Sequence, residues 1–126
     1  PILLQQGVGA IVTLSDQALE PDPERLGFHY LFVQTPDFRP PPNLQEVLSF
    51  IEAQVEQARG VLVHCFAGIG RTGTILAAWQ MQQDHSLSAM QAVDSVRDQY
   101  IPAYARSRFP EHPSQFAALE EFARTR

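Results

Sequence analysis

The sequence predicts an α/β domain, a three-layer sandwich with a central, mostly parallel sheet flanked by helices. Three observations lead there. The periodicity runs strand, strand, helix, strand, then helices only. Each strand runs into a crossover long enough for parallel pairing. The length of 126 residues suits one domain, 1–126, and an apolar share of 44% suffices for a core.

Ile2 to Gln6, stopped by Gly7, reads as the tail of a helix. Ala10 to Leu14 is a buried strand, ended by Ser15 and Asp16. Residues 17–27 form a polar connection broken by Pro21 and Pro23. Phe28 to Val33 is apolar and aromatic on both faces, as expected of a central strand. His29 within it is expected to pack or hydrogen-bond. Asn43 is a helix N-cap. After it Leu44, Val47, Leu48, Ile51, Val55 and Ala58 repeat at helical spacing until Gly60. Val61 to Val63 is a third strand. Thr74 to Met81 is apolar nearly all round and predicts the buried central helix, with Trp79 in the core. Asp84-His85-Ser86 is a polar turn. Ser88 caps a helix carrying Met90, Val93 and Val96 on one side. A loop over 100–110 holds Arg106 and Arg108, which either recruit acidic substrates or form a solvated surface. Pro113 opens a last helix with Phe116, Leu119 and Phe122 as its stripe.

Chemistry concentrates in 61–74, Val-Leu-Val-His-Cys-Phe-Ala-Gly-Ile-Gly-Arg-Thr-Gly-Thr. Strand, glycine-rich turn and helix N-terminus together make an anion trap, because backbone N–H groups point inward and the helix dipole adds positive charge. Cys65 sits where that field favours a nucleophilic thiolate. Backbone amides over Phe66, Ala67, Gly68, Ile69 and Gly70 would cradle a phosphate. Arg71 would close the cradle with a planar fork. Thr72 places a hydroxyl beside the sulfur, and His64 tunes the cysteine through hydrogen bonds. With the loop and Arg71 supplying the positive field, no metal or other cofactor is required.

His-Cys, five residues, then Arg-Thr-Gly resembles the signature loop of the protein tyrosine phosphatase superfamily, and most resembles the small atypical dual-specificity phosphatases. Rhodanese-like sulfurtransferases carry a similar but shorter loop. The resemblance implies a phosphocysteine mechanism. It also implies one or two strands before the point where this sequence begins, consistent with a start at Pro1 in mid-element. Pro36-Asp37-Phe38 resembles the family's general-acid loop, so Asp37 is the expected proton donor; Asp16 and Asp22 lack that context. Arg39 either contacts substrate or faces solvent. Arg97 resembles an arginine that the family places at the end of this helix and is read as structural. A glutamine near the start of the last helix positions the hydrolytic water in related phosphatases, which points to Gln115.

The resemblance implies a phosphorylated protein or peptide as substrate, with phosphotyrosine foremost and phosphoserine or phosphothreonine as further substrates. Phosphoinositide phosphatases with this loop type place lysines where this chain has Phe66, Ala67 and Ile69. All nine basic residues here are arginine, and the net charge of −5 argues against nucleic acid. There is no 18-residue apolar run to span a membrane and no secretory signal. One cysteine permits no internal disulfide, and a reactive thiol fits a reducing compartment, the cytoplasm. A monomer is expected. The alternative is a domain that binds phosphorylated partners without hydrolysing them.

Overall fold

A computed structural model describes residues 2–66 and 69–126. It is an α/β structure in which helices flank a small parallel sheet. The elements are α1 (Ile2–Gln5), β1 (Val8–Ser15), a 3-10 turn (Pro23–Leu26), β2 (His29–Gln34), α2 (Leu44–Glu56) and β3 (Gly60–His64). They continue with α3 (Gly70–Gln83), α4 (Ala89–Tyr100), a second 3-10 segment (Ala103–Arg108) and α5 (Pro113–Thr125).

Among the described residues the strand order is β2-β1-β3, with both pairings parallel. The middle strand is therefore β1, not the aromatic run of β2. β1 is buried from Ala10 to Ser15, whereas His29 on β2 is exposed, and Tyr30 and Phe32 are half-buried. The aromatic residues of β2 thus lie on an outer strand of the described sheet.

Two apolar cores lie on either side of α3. Val12, Leu14 and Val33 of the sheet meet Val47, Ile51 and Ile75 of α2 and α3. Away from the sheet, Ala77, Ala78 and Met81 of α3 meet Val93 and Val96 of α4 and Leu119 of α5. Trp79 packs against both cores. Neighbours on nearly every side explain why α3 lacks a polar face.

Helix ends follow local chemistry. The Asn43 side chain accepts from the Glu46 N–H at 3.1 Å, a cap worth about 1 kcal/mol. Ser88 and Gln91 form a reciprocal capping box. The α2 helix stops before Gly60, which is the first residue of β3. Ala58 takes the left-handed position instead, at φ 60°, and the Arg59 N–H reaches back to the Gln54 carbonyl at 3.0 Å. Val55, Ala58 and Met90 carry the helical period yet are exposed, because no neighbouring element covers them.

The 100–110 loop docks firmly. Phe109 is fully buried and lies so close to α3 that a Cβ on Gly73 would stand 2.8 Å from its ring. The Arg97 Nε–H donates to the Phe109 carbonyl at 2.8 Å, a structural role. Arg106 pairs with Asp98, and Arg108 is exposed. Phe109→Ala should therefore cost about 3–5 kcal/mol, and Gly73→Ala should also destabilise. Urea denaturation followed by circular dichroism measures both, and a wild-type midpoint in Phe109→Ala would contradict this packing.

Candidate active site

The expected site residues gather at the carboxyl ends of the strands. His64, the last residue of β3, stands in register with Thr13 of β1. The Thr13 hydroxyl lies 2.8 Å from His64 Nε2. Burial lowers the imidazole pKa from its ordinary value of 6.5, because the charged form is desolvated. The ring meets Phe66 edge to face, with centroids 5.5 Å apart. Phe66 is otherwise exposed on the rim.

Cys65 follows at once, half-buried. The Thr72 hydroxyl donates to its Sγ at 3.1 Å. Ile69 is the N-cap of α3 and offers no side-chain cap, and Gly70 is the first helical residue. Early amides in a helix lack intrahelical partners. The Gly70 N–H finds one in the side chain of Glu111, whose Oε1 accepts it at 3.0 Å. The cradle positions Ala67 and Gly68 lie outside the described residues.

Arg71 is buried, only 3% exposed. One terminal nitrogen donates to the Thr35 carbonyl at 2.9 Å, and the other lies 3.6 Å from the Asp37 carboxylate. Its Nε–H is buried and has no hydrogen-bond partner among the described residues. A desolvated donor of this kind is costly unless a ligand supplies the acceptor.

The loop bearing Asp37 is fixed at both ends. The Thr35 N–H donates to the Ser15 carbonyl at 2.9 Å, and its hydroxyl donates to the Val33 carbonyl at 2.8 Å. Asp37 accepts from the Phe38 N–H at 3.0 Å. Phe38 occupies the left-handed region at φ 62°. Beyond it the loop meets the start of α5. The Ser114 hydroxyl donates to the Phe38 carbonyl at 3.4 Å, and Gln115 Nε2 donates to the Arg39 carbonyl at 3.4 Å. The Arg39 guanidinium lies 2.9 Å from His112 Nε2. His112 Nδ1 in turn caps α5 by accepting from the Ser114 N–H at 3.0 Å.

Cys65, Thr72 and His64 thus form one group, Arg71 and Asp37 a second, and fully buried Gln115 links the Asp37 loop to Glu111, which holds the Gly70 N–H. Gln115 Oε1 accepts from the Glu111 N–H at 2.8 Å, so its amide holds this junction together. Asp22 caps the first 3-10 turn, and Asp16 is exposed. Sequence reasoning missed Thr13, Thr35, Glu111 and His112. Only Glu111 left a trace, as an acidic residue between Pro110 and Pro113 four places before Gln115.

Residues 1–85 match the family described as polymorphic toxin system, DSP-PTPase phosphatase. The chain belongs to this family. Membership places it in the cysteine-based protein tyrosine phosphatase superfamily, among proteins of the small atypical dual-specificity kind. It is 37% identical over 71 residues to dual specificity protein phosphatase 1B of Arabidopsis thaliana, covering 56% of this chain and 42% of the relative. It is 29% identical over 131 aligned residues to the phosphatidylglycerophosphate phosphatase PTPMT2 of Arabidopsis thaliana, covering 98% of this chain and 54% of the relative. The chain therefore spans about half the length of these curated relatives. The crystal structure of Tk-PTP in the active form superposes with a TM-score of 0.81 at 30% identity, covering 96% of this chain and 82% of that one. PTPMT1 in complex with PI(5)P shares the fold, with a TM-score of 0.78 at 23% identity over 98% of this chain and 81% of that one.

The pH dependence of stability follows from His64. Its folded pKa lies below the unfolded one, so the folded state takes up fewer protons. Its contribution to stability is intact above about pH 6.5 and is lost as pH falls through the folded pKa. The urea midpoint should fall on going from pH 7 to pH 5, and His64→Gln should flatten that fall. An equally steep fall in His64→Gln would assign the dependence to other groups.

Proposed function

We propose that residues 1–126 form one catalytic domain that hydrolyses phosphomonoesters through a phosphocysteine intermediate. The substrate proposed is phosphotyrosine in proteins, with phosphoserine and phosphothreonine also accepted. The observation that carries this reading is the buried Arg71 Nε–H, without a partner among the described residues, one residue from an α3 amide already engaged with an anionic side chain. A phosphoryl group would satisfy that donor.

In the first step the Cys65 thiolate attacks phosphorus in line, and Asp37 gives its proton to the leaving oxygen. The S–P bond forms as the P–O bond breaks. Loop amides and the Arg71 fork hold the equatorial oxygens, where transition-state charge collects. Thr72 donates to the sulfur and eases its later departure. Water then attacks the phosphocysteine, with Asp37 taking up the proton, and phosphate leaves. Gln115 lies beside Gly70 and the acid loop, and its proposed part is to orient that water. The single cysteine and the net charge of −5 support a monomeric protein of a reducing compartment, the cytoplasm, with no nucleic-acid partner.

A lipid phosphomonoester is the second reading. It rests on PTPMT2, a phosphatidylglycerophosphate phosphatase by name, which aligns with 98% of this chain. Against it stand the apolar Phe66, Ala67 and Ile69, which offer no cation to a highly charged head group.

Hydrolysis of p-nitrophenyl phosphate in EDTA tests the mechanism. Cys65→Ser should abolish turnover while keeping phosphate binding, and Asp37→Asn should slow turnover by about 10²–10⁴. Wild-type rates in Asp37→Asn on a phosphotyrosine peptide would refute the acid assignment. No turnover by the wild type, with oxyanions still bound, would instead identify a non-hydrolysing phosphate-binding domain. Comparing phosphotyrosine peptide with phosphatidylglycerophosphate vesicles then separates the two substrate classes.

A further inference from the structure

Resting on the phosphate-site reading above, we propose that Glu111 is a built-in competitor for the phosphoryl group. Its carboxylate occupies an amide of the phosphate cradle, and a substrate must displace it to bind.

Glu111 Oε1 accepts the Gly70 N–H at 3.0 Å. Gly70 opens a 14-residue helix, so its amide is among those that an incoming phosphate would use. The neighbouring Arg71 Nε–H is buried and has no partner among the described residues. Of these two donors, one is occupied by the carboxylate and the other is open among the described residues. One carboxylate satisfies one donor, while a phosphoryl group has three oxygens and could reach both. The carboxylate occupies the space a side chain would need, since a Cβ at position 70 would stand 2.2 Å from Oε1. Two anions cannot share one amide at such range, so phosphate binding requires the carboxylate to leave.

The surroundings permit that departure. The Glu111 backbone is held by Gln115 at 2.8 Å, but its side chain is only half-buried. It borders a surface groove also lined by Phe38, Ser107, Arg108 and Pro110. Arg108 is exposed there and offers a cation to the displaced carboxylate. Displacement lowers the affinity for every phosphate ligand, including the product. Substrates whose other contacts offset the loss are favoured over free phosphate. Glu111 thus sets a threshold for occupancy of the site.

Calorimetric titration of inorganic phosphate into the Cys65→Ser chain, with and without Glu111→Gln, tests this. Removing the charge should tighten phosphate roughly tenfold, and Glu111→Ala should act in the same direction. In the chain retaining Cys65, Glu111→Gln should lower KM for p-nitrophenyl phosphate several-fold more than it changes kcat. Circular dichroism checks that the variants fold. Phosphate bound only by the Glu111 variants would also support the proposal. Phosphate bound equally or more weakly by both folded variants overturns it and leaves the phosphatase reading standing. No phosphate binding by any variant overturns both.

Discussion

The buried guanidinium of Arg71 is the constraint on which the rest of this structure depends. A cation only 3% exposed has lost its hydration and must be met by fixed acceptors. The end of β2 supplies the Thr35 carbonyl, and the following loop supplies Asp37. A third acceptor, for Nε, is missing among the described residues. Most of the packing around α3 fixes where that cation stands. Phe109 seats against Gly73 in the first turn, Ile75 fastens the next turn to the sheet, and Gln115 braces the loop opposite. Among the described residues the arrangement leaves one donor unmet and packed side chains around it.

Features set by neighbouring residues were legible in the sequence. The stretch 64–73 could be read because its chemistry is contiguous, so the spacing of Cys65, Arg71 and Thr72 largely determines which face they share. Asn43, Ser88 and Pro113 announced helix starts through side chains that act within one turn. What could not be read depends on register and docking. The bond between Thr13 and His64 exists because two parallel strands align at that pair, and nothing in either strand specifies the offset. Thr35 meets Arg71 across 36 positions, through a backbone carbonyl that has no residue signature at all.

Apolar content was a poorer guide to position than to element type. The aromatic run of β2 looked central, yet β1 with its smaller residues took the middle. Strand order is decided by crossovers, which composition does not record. Val55 and Met90 repeat at the right interval, but helical period only nominates a face, and burial follows where another element lies against it. Gln115 was placed by family resemblance alone. Its complete burial shows why a polar side chain is tolerated there: Glu111 and Arg39 satisfy both ends of the amide.

Phe38, next to Asp37, sits at φ 62°, where a bulky residue pays ~1–2 kcal/mol relative to glycine. Left to itself the loop would relax to an ordinary conformation, roughly a five- to thirtyfold preference on that scale. The ties from Ser114, Gln115 and His112 hold it against that preference. The loop that carries Asp37 is therefore held in this conformation by the first turn of α5. Changes that loosen α5 would therefore release Asp37 from its place beside Arg71 without altering either side chain.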